Sequence, residues 1–279
     1  SYATGAVSGD NYVGGLVGLN DGDGGTATIT NSYATGTVSG SNIAGGLVGW
    51  NDGDYGNATI NNSYATGAVG GSSQDIGGLV GRNSDVGGAA TISNSYWDKE
   101  TTGQSTSGGS DNSAGKTTAE MMQASTFAGW DLAATGGSSA VWRIYEGHTN
   151  PLLRSFLTGL TLADTTATYN GATQTGAAVP ILDARGGTAA SGRNAGVYIA
   201  YSNQQGYDIT DGTLTIDRKA INLSGSRSYD GTTTVNNDIF SSMSGLVGSE
   251  KLILSGNGKV ADKNVGVDKT VDVGDLALA

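Results

Sequence analysis

Gly14-Gly15-Leu16-Val17-Gly18, Gly45-Gly46-Leu47-Val48-Gly49 and Gly77-Gly78-Leu79-Val80-Gly81 are the same five residues three times over, 31 and then 32 positions apart. The text around them repeats as well. Tyr-Ala-Thr-Gly begins at Tyr2, Tyr33 and Tyr64, and Tyr96-Trp97 follows at the next step. Between these lie Thr26-Ala27-Thr28-Ile29, Ala58-Thr59-Ile60 and Ala90-Thr91-Ile92. One unit thus holds three short β-type stretches separated by Gly, Asn, Asp and Ser. A unit this short and this rich in glycine closes no core alone, so it must stack on its neighbours. Three strands per turn predict a triangular coil: an all-β, right-handed parallel β-helix over residues 1–97.

Stacking turns identical residues into ladders, with rungs about 4.8 Å apart. Leu16, Leu47 and Leu79 are expected in the interior, with Val17, Val48 and Val80 on the other face or at a corner. Asn31, Asn62 and Asn94 are expected to form a side-chain amide ladder at a turn, and Tyr33, Tyr64 and Tyr96 align as an aromatic one. Ser1 falls in the middle of a repeat, which places the natural N-terminus upstream and leaves a signal peptide unreadable here.

The repeated Gly-Gly-Leu-Val-Gly resembles the GLUG motif of secreted bacterial proteins, found in filamentous-haemagglutinin-like adhesins and some immunoglobulin A peptidases. The resemblance covers residues 1 to about 97. It implies a bacterial cell-surface protein, exported by a route such as two-partner secretion and engaged in cell, host or biofilm-matrix attachment. The peptidases carry His-Glu-x-x-His in a separate domain. This chain has one histidine, His148, in Gly-His-Thr, so that chemistry is not expected here.

Composition agrees with a repeat-built β protein. Gly fills 48 of 279 positions while Pro appears twice, which suits short strands and tight turns rather than collagen or a Pro-rich linker. There is no Cys, so neither a disulfide nor Cys-ligated zinc holds the fold. A net charge of −11 argues against nucleic acid or an anionic membrane as partner, and no apolar run suggests membrane insertion.

The last rung of a coil needs a cover. Residues 98–158 are the expected capping segment. Thr117-Thr118-Ala119-Glu120 reads as a capping box, so one short helix is expected to start near Thr118. Trp97, Trp130 and Trp142, with Phe127, Tyr145, Leu152, Leu153 and Phe156, supply bulk that the repeats lack, a hydrophobic lid in preference to a sugar-binding platform. Gln104 to Lys116 reads as a Ser/Gly loop.

From about residue 159 the pattern alternates with period two, as in Val197-Tyr198-Ile199 and Thr213-Leu214-Thr215-Ile216. Tyr169-Asn170-Gly171-Ala172-Thr173 is echoed by Tyr229-Asp230-Gly231-Thr232-Thr233, and Asn194-Ala195-Gly196-Val197 by Asn264-Val265-Gly266-Val267. Two small β modules, 159–217 and 218–279, follow. They resemble the YDG and MBG modules strung together in large bacterial adhesins. The first departs from the signature at Asn170. The second lacks, before Ala279, a closing strand like Gly212 to Ile216, so either the chain is cut there or that strand arrives from beyond.

No nucleophile elbow surrounds a serine, and His148 has no partner motif, so no catalytic residue is nominated. Asn20-Asp21-Gly22-Asp23 recurs as Asn51-Asp52-Gly53-Asp54, placing Asp21, Asp23, Asp52 and Asp54 on adjacent rungs. Calcium takes such oxygen clusters. The third repeat, Asn83-Ser84-Asp85, loses the spacing, so solvated turn carboxylates are the favoured reading and no cofactor is expected. The function expected is a structural stalk of an adhesin. Its glycan or protein partners are expected to bind regions outside this chain. The alternative is a carbohydrate-binding or carbohydrate-cleaving β-helix.

Overall fold

A computed structural model describes residues 1–72, 75–109, 114–181, 186–203 and 205–278. It is a nearly all-β protein whose N-terminal part is a parallel β-solenoid of about three turns. The chain forms two compact units: Ser1–Ala163 with Ala178–Ala189 and Ala200–Gly212, and Asp164–Ala177 with Ala190–Ile199 and Thr213–Ala279. The strands expected to make one module over 159–217 are therefore shared between the two.

Each turn of the solenoid is built from five short strands rather than three. In the first turn these are Tyr2–Ala3, Val7–Gly9, Val13–Gly14, Val17–Asp21 and Thr26–Thr30. Every one pairs in parallel with its counterpart a repeat later, Tyr2 on Tyr33, Val7 on Val38, Val17 on Val48, Ala27 on Ala58. The glycines and the left-handed corners make the extra breaks. Asn31, Asn62 and Asn94 adopt φ of 46°, 48° and 44°. Asparagine tolerates that conformation better than other residues with a Cβ.

Leu16, Leu47 and Leu79 do stack, with Leu16 N donating to Leu47 O at 2.9 Å and Leu47 N to Leu79 O at 2.8 Å. Leu47 and Leu79 are fully buried. Val48 and Val80 do not take another face: they lie in the same core with Ile29, Ile60, Ala34 and Ala65. Leucine sits in the bend between two strands, where consecutive side chains need not alternate. The bend leaves no room beside the backbone. A Cβ on Gly45 would meet Val48 O at 1.9 Å and Gly81 N at 2.5 Å, which explains why that place is always glycine in the repeat.

The end of the coil is closed by residues 97–109 and 114–116. Trp97 pairs with Ala65 and Gly115, replacing alanine on the last rung. Its indole fills the space beside Gly78, where Ala34 and Ala65 lie beside Gly15 and Gly46. The stretch read as a Ser/Gly loop adds a partial fourth turn: Gly78 N donates to Thr106 O at 3.0 Å and Gly108 N to Val80 O at 2.8 Å. Residues 110–113 of that stretch lie outside the described residues. A four-residue helix, Lys99–Thr102, is capped by Asp98, whose carboxylate accepts from Glu100 N and Thr101 N. The expected helix runs Thr118–Met121 with the Thr117/Glu120 capping box formed in both directions.

In the same unit, Thr158–Leu162 pairs in parallel with Tyr207–Asp211, and Gly187–Thr188 pairs antiparallel with Tyr201–Ser202. In the second unit, Thr165–Thr168, Thr213–Asp217 and Gly196–Ile199 form one sheet with Thr213–Asp217 in the middle. Further on, Asn222–Ser224 pairs with Ser242–Ser244, and Thr234–Asn236, Asn257–Val260 and Val271–Asp272 form a three-stranded antiparallel sheet. No helix among the described residues is long and apolar enough to cross a membrane.

Candidate functional site: the tyrosine face and the turn ladders

In the Tyr-Ala strands, alanine points into the coil and tyrosine points out. Period two dictates this alternation. Tyr2 stacks on Tyr33 with centroids 5.3 Å apart, and Tyr33 on Tyr64 at 4.9 Å and 4°. An outward aromatic ladder of this kind would suit a sugar ring if it were open. It is covered. Met121, Phe127, Trp130, Trp142, Ile144 and Leu153 pack over it, leaving Tyr33 2% and Tyr64 1% exposed. The capping tryptophans thus divide their roles. Trp97 plugs the end of the coil, while Trp130 and Trp142 lie along its side.

Polar tips on the cover are tied back to the coil. Trp130 Nε1 donates to Asn94 O at 2.9 Å, and Trp142 Nε1 to Asn31 Oδ1 at 3.2 Å. Tyr64 Oη donates to Pro151 O at 2.8 Å, and Tyr33 Oη to Gln205 Oε1 at 2.6 Å. Burial pushes the Tyr33 and Tyr64 phenols well above their ordinary range, with the neighbouring tyrosine adding to the effect. The folded protein therefore holds these protons more tightly than the unfolded chain. The associated stability is present below about pH 10, the ordinary phenol value, and drains away as pH rises beyond it. A spectrophotometric titration should show Tyr33 and Tyr64 ionising only together with alkaline unfolding. Ionisation of every tyrosine in one step near pH 10 with the fold intact would contradict the buried ladder.

The amide ladder forms from a different asparagine series than expected. Asn20 Nδ2 donates to Asn51 Oδ1 and Asn51 Nδ2 to Asn83 Oδ1, both at 2.7 Å. Asn31, Asn62 and Asn94 instead spend their conformational tolerance on the left-handed corner. A serine ladder, absent from the sequence reading, runs beside it: Ser32 N donates to Ser63 Oγ and Ser63 N to Ser95 Oγ, each at 3.2 Å. The exact period that exposed the glycines also carries both series. Their hydrogen bonding depends on which side chains face inward.

Asp21 stacks on Asp52 in register. Asp21 Oδ1 accepts from Asp23 N at 2.9 Å and Asp52 Oδ1 from Asp54 N at 3.2 Å, so both carboxylates fold onto their own turns. Burial pushes the Asp52 carboxyl up, and the charges of Asp54 and Asp21 add to it. Among the described residues no group of three or more His, Cys, Asp or Glu is placed to hold a metal ion. His148 stacks flat on Tyr201, ring centroids 4.2 Å apart.

In the second unit the two echoed signatures take the same local form. Asn170 Oδ1 accepts from Ala172 N, and Asp230 Oδ1 from Thr232 N, both at 2.9 Å. Gly171 and Gly231 follow at φ of 78° and 74°. An acceptor, then a residue free to take positive φ, explains Tyr-Asn/Asp-Gly: either acid or amide closes the turn.

Comparison with protein families finds the GLUG motif at residues 9–39 and the YDG domain at residues 210–279. Neither the curated proteins nor the solved structures give a significant match. The two modules are consistent with an adhesin-like or surface protein. The chain carries a GLUG motif within a parallel β-solenoid and, at its C-terminal end, a YDG domain.

Proposed function

We propose that this chain is a stalk segment of a large secreted bacterial surface adhesin, a spacer that bears load while other regions bind. The observation that carries the reading is the unbroken ladder system. Backbone pairs, amides, serines and rings all bond from rung to rung, and the aromatic face that a glycan would use is occupied by the chain's own cover. Such an arrangement gives length and stiffness by repetition and needs no pocket. On this reading the chain performs no chemistry, needs no cofactor, and meets cell-surface or matrix glycans and proteins only through neighbouring regions.

The test is an activity screen against polysaccharides and peptides together with a glycan array, using this chain beside the full-length protein. The expected outcome is no turnover and no tight glycan binding by the chain, with attachment by the full-length protein. Turnover that vanishes on a single carboxylate substitution would make the chain an enzyme, and tight glycan binding would place the adhesive site within these repeats.

A further inference from the structure

Two asparagines of this chain precede a glycine, Asn170-Gly171 and Asn257-Gly258. That order has a chemical consequence. A glycine nitrogen carries no crowding Cβ on its neighbouring carbon, so it reaches the asparagine side-chain carbon and closes a succinimide ring more readily than any other residue. The two sites share this chemistry and differ in structure. Asn257 begins the middle strand of a three-stranded sheet and pairs with Asn236, while Gly258 is buried opposite Val235. Ring closure there would pull both residues out of the ladder. Asn170 is exposed, in the turn that follows Thr165–Thr168.

The turn itself favours the reaction. Asn170 Oδ1 accepts from Ala172 N at 2.9 Å, and that bond closes a small loop of atoms containing both Asn170 Cγ and Gly171 N. The attacking nitrogen and the attacked carbon are therefore held in one compact turn. The same hydrogen bond draws electrons from the side-chain carbonyl, which leaves Cγ more open to attack. An acid is also accommodated in this geometry. In the second module Asp230 Oδ1 accepts from Thr232 N at 2.9 Å, and Gly231 has φ of 74° against 78° for Gly171. Arg193 Nε donates to Gly171 O at 2.8 Å, so a guanidinium already stands at the turn where a new negative charge would appear.

We propose that Asn170 is a self-modification site, at which the signature of the first module turns from Tyr-Asn-Gly into Tyr-Asp-Gly. Gly171 N loses its proton and bonds to Asn170 Cγ. The Cγ–Nδ2 bond breaks, and Nδ2 leaves as ammonia with a proton from solvent. Water then opens the ring. Opening between Cγ and Gly171 N gives aspartate on an ordinary backbone, and opening between the Asn170 carbonyl carbon and Gly171 N gives isoaspartate. Nothing is oxidised or reduced, and water is the only co-reactant. A carboxylate resists the same attack, so the change runs one way. The aspartate form keeps the turn of the second module, whereas isoaspartate lengthens the backbone and loses it. This chemistry is independent of what the whole protein does.

The experiment incubates the full chain for days at mildly alkaline pH in heavy-oxygen water, folded in one arm and unfolded in urea in the other. Acid digestion with pepsin and mass spectrometry then read the labelled acid formed at positions 170 and 257. In the folded chain Asn170 should convert about ten-fold faster than Asn257 or more, because the strand site must open locally first. In urea the two Asn-Gly pairs should convert at about the same rate, since no turn or ladder then separates them. Asn170→Asp should unfold at the wild-type urea midpoint, as expected of a turn that accepts either side chain. Conversion at Asn170 no faster than at Asn257 in the folded chain overturns the proposal. So does the same preference for Asn170 in urea, which would remove the turn from the explanation. A lowered midpoint for Asn170→Asp would mean that the acid does not fit, and overturns it as well.

Discussion

Tyr64→Ala should destabilise the solenoid unit by about 3–5 kcal/mol, the cost seen when a large buried ring is cut back to a methyl group. The ring is 1% exposed and sits in the middle of the ladder. It stacks on Tyr33 at 4.9 Å and meets Trp142 at 6.1 Å, Phe127 at 6.4 Å and Trp130 at 6.5 Å. Removing it opens a cavity that stiff neighbours fill poorly, because Trp130 and Trp142 are pinned by their indole hydrogen bonds to the asparagine corners. Tyr64→Phe separates packing from polarity. It keeps the stack and leaves Pro151 O without its donor, which costs about 1–2 kcal/mol. Tyr55→Ala is the control: that ring is 72% exposed and its loss should stay within about 0.5 kcal/mol. Chemical denaturation followed by near-ultraviolet circular dichroism reads all three. If Tyr64→Ala melts with the wild type, the aromatic cover is not seated on the ladder.

The solenoid was legible because its signal is a period. Five identical residues recurring at 31 and 32 positions fix parallel pairing and register without any appeal to propensity. Propensity failed where the period was silent. It gave three strands per turn because Tyr-Ala and Val-Ser-Gly are too short to count as strands, and in the structure their pairing comes wholly from stacking. It assigned the amide ladder to Asn31, Asn62 and Asn94, since a recurring asparagine looks alike whether it bonds its copy or tolerates a left-handed corner. Asn20 and Asn51 look in the sequence like part of the acidic turns that follow them, although their own side chains turn inward and pair.

The lid is the more instructive case. Bulk aromatics after the last repeat suggested an end cap, but end and side are indistinguishable in one dimension. The glycine beside each inward alanine decides the matter. Gly78 leaves room for one indole, that of Trp97, and the partial fourth turn supplies the remaining backbone partners. The other tryptophans are then free to cover the row of outward tyrosines, a large apolar surface otherwise open to water. Nothing local announces that Tyr145, Gln205 and Asp208 belong to the same unit. They meet through contacts of more than fifty residues' separation, which a single sequence does not encode visibly.

Asp208→Ala should cost the solenoid unit about 3–5 kcal/mol, as breaking a buried ion pair from one side does. The carboxylate is 11% exposed and stands between two guanidiniums, with Arg143 Nε at 3.5 Å and Arg154 Nη1 hydrogen-bonded to Oδ2. It also accepts from Gly137 N at 3.1 Å. Arg143 lies with its guanidinium 3.8 Å from the centre of the Tyr145 ring, and Tyr145 Oη both donates to Tyr207 O at 2.7 Å and accepts from Ile209 N at 2.9 Å. Alanine leaves two cations in a site that water barely reaches. Burial already pushes the Arg143 guanidinium down, and the nearby Asp208 carboxylate works against that push. Asp208→Asn keeps an acceptor and loses the charge, so its cost should fall between wild type and alanine. The surface pair Lys269–Asp262 sets the contrast: with Asp262 54% exposed, Asp262→Ala should leave the urea midpoint almost unmoved. Replacing all three buried partners together, Arg143→Met, Arg154→Met and Asp208→Leu, removes the stranded charges but also takes the donors from Ala134 O, Ile144 O, Ala140 O and Thr135 O, so it should recover only part of the loss. Urea midpoints for the single, conservative and triple variants decide the question. A loss below about 1 kcal/mol for Asp208→Ala, or a triple variant no better than the single one, would mean that the cluster is wetter and less coupled than its geometry implies.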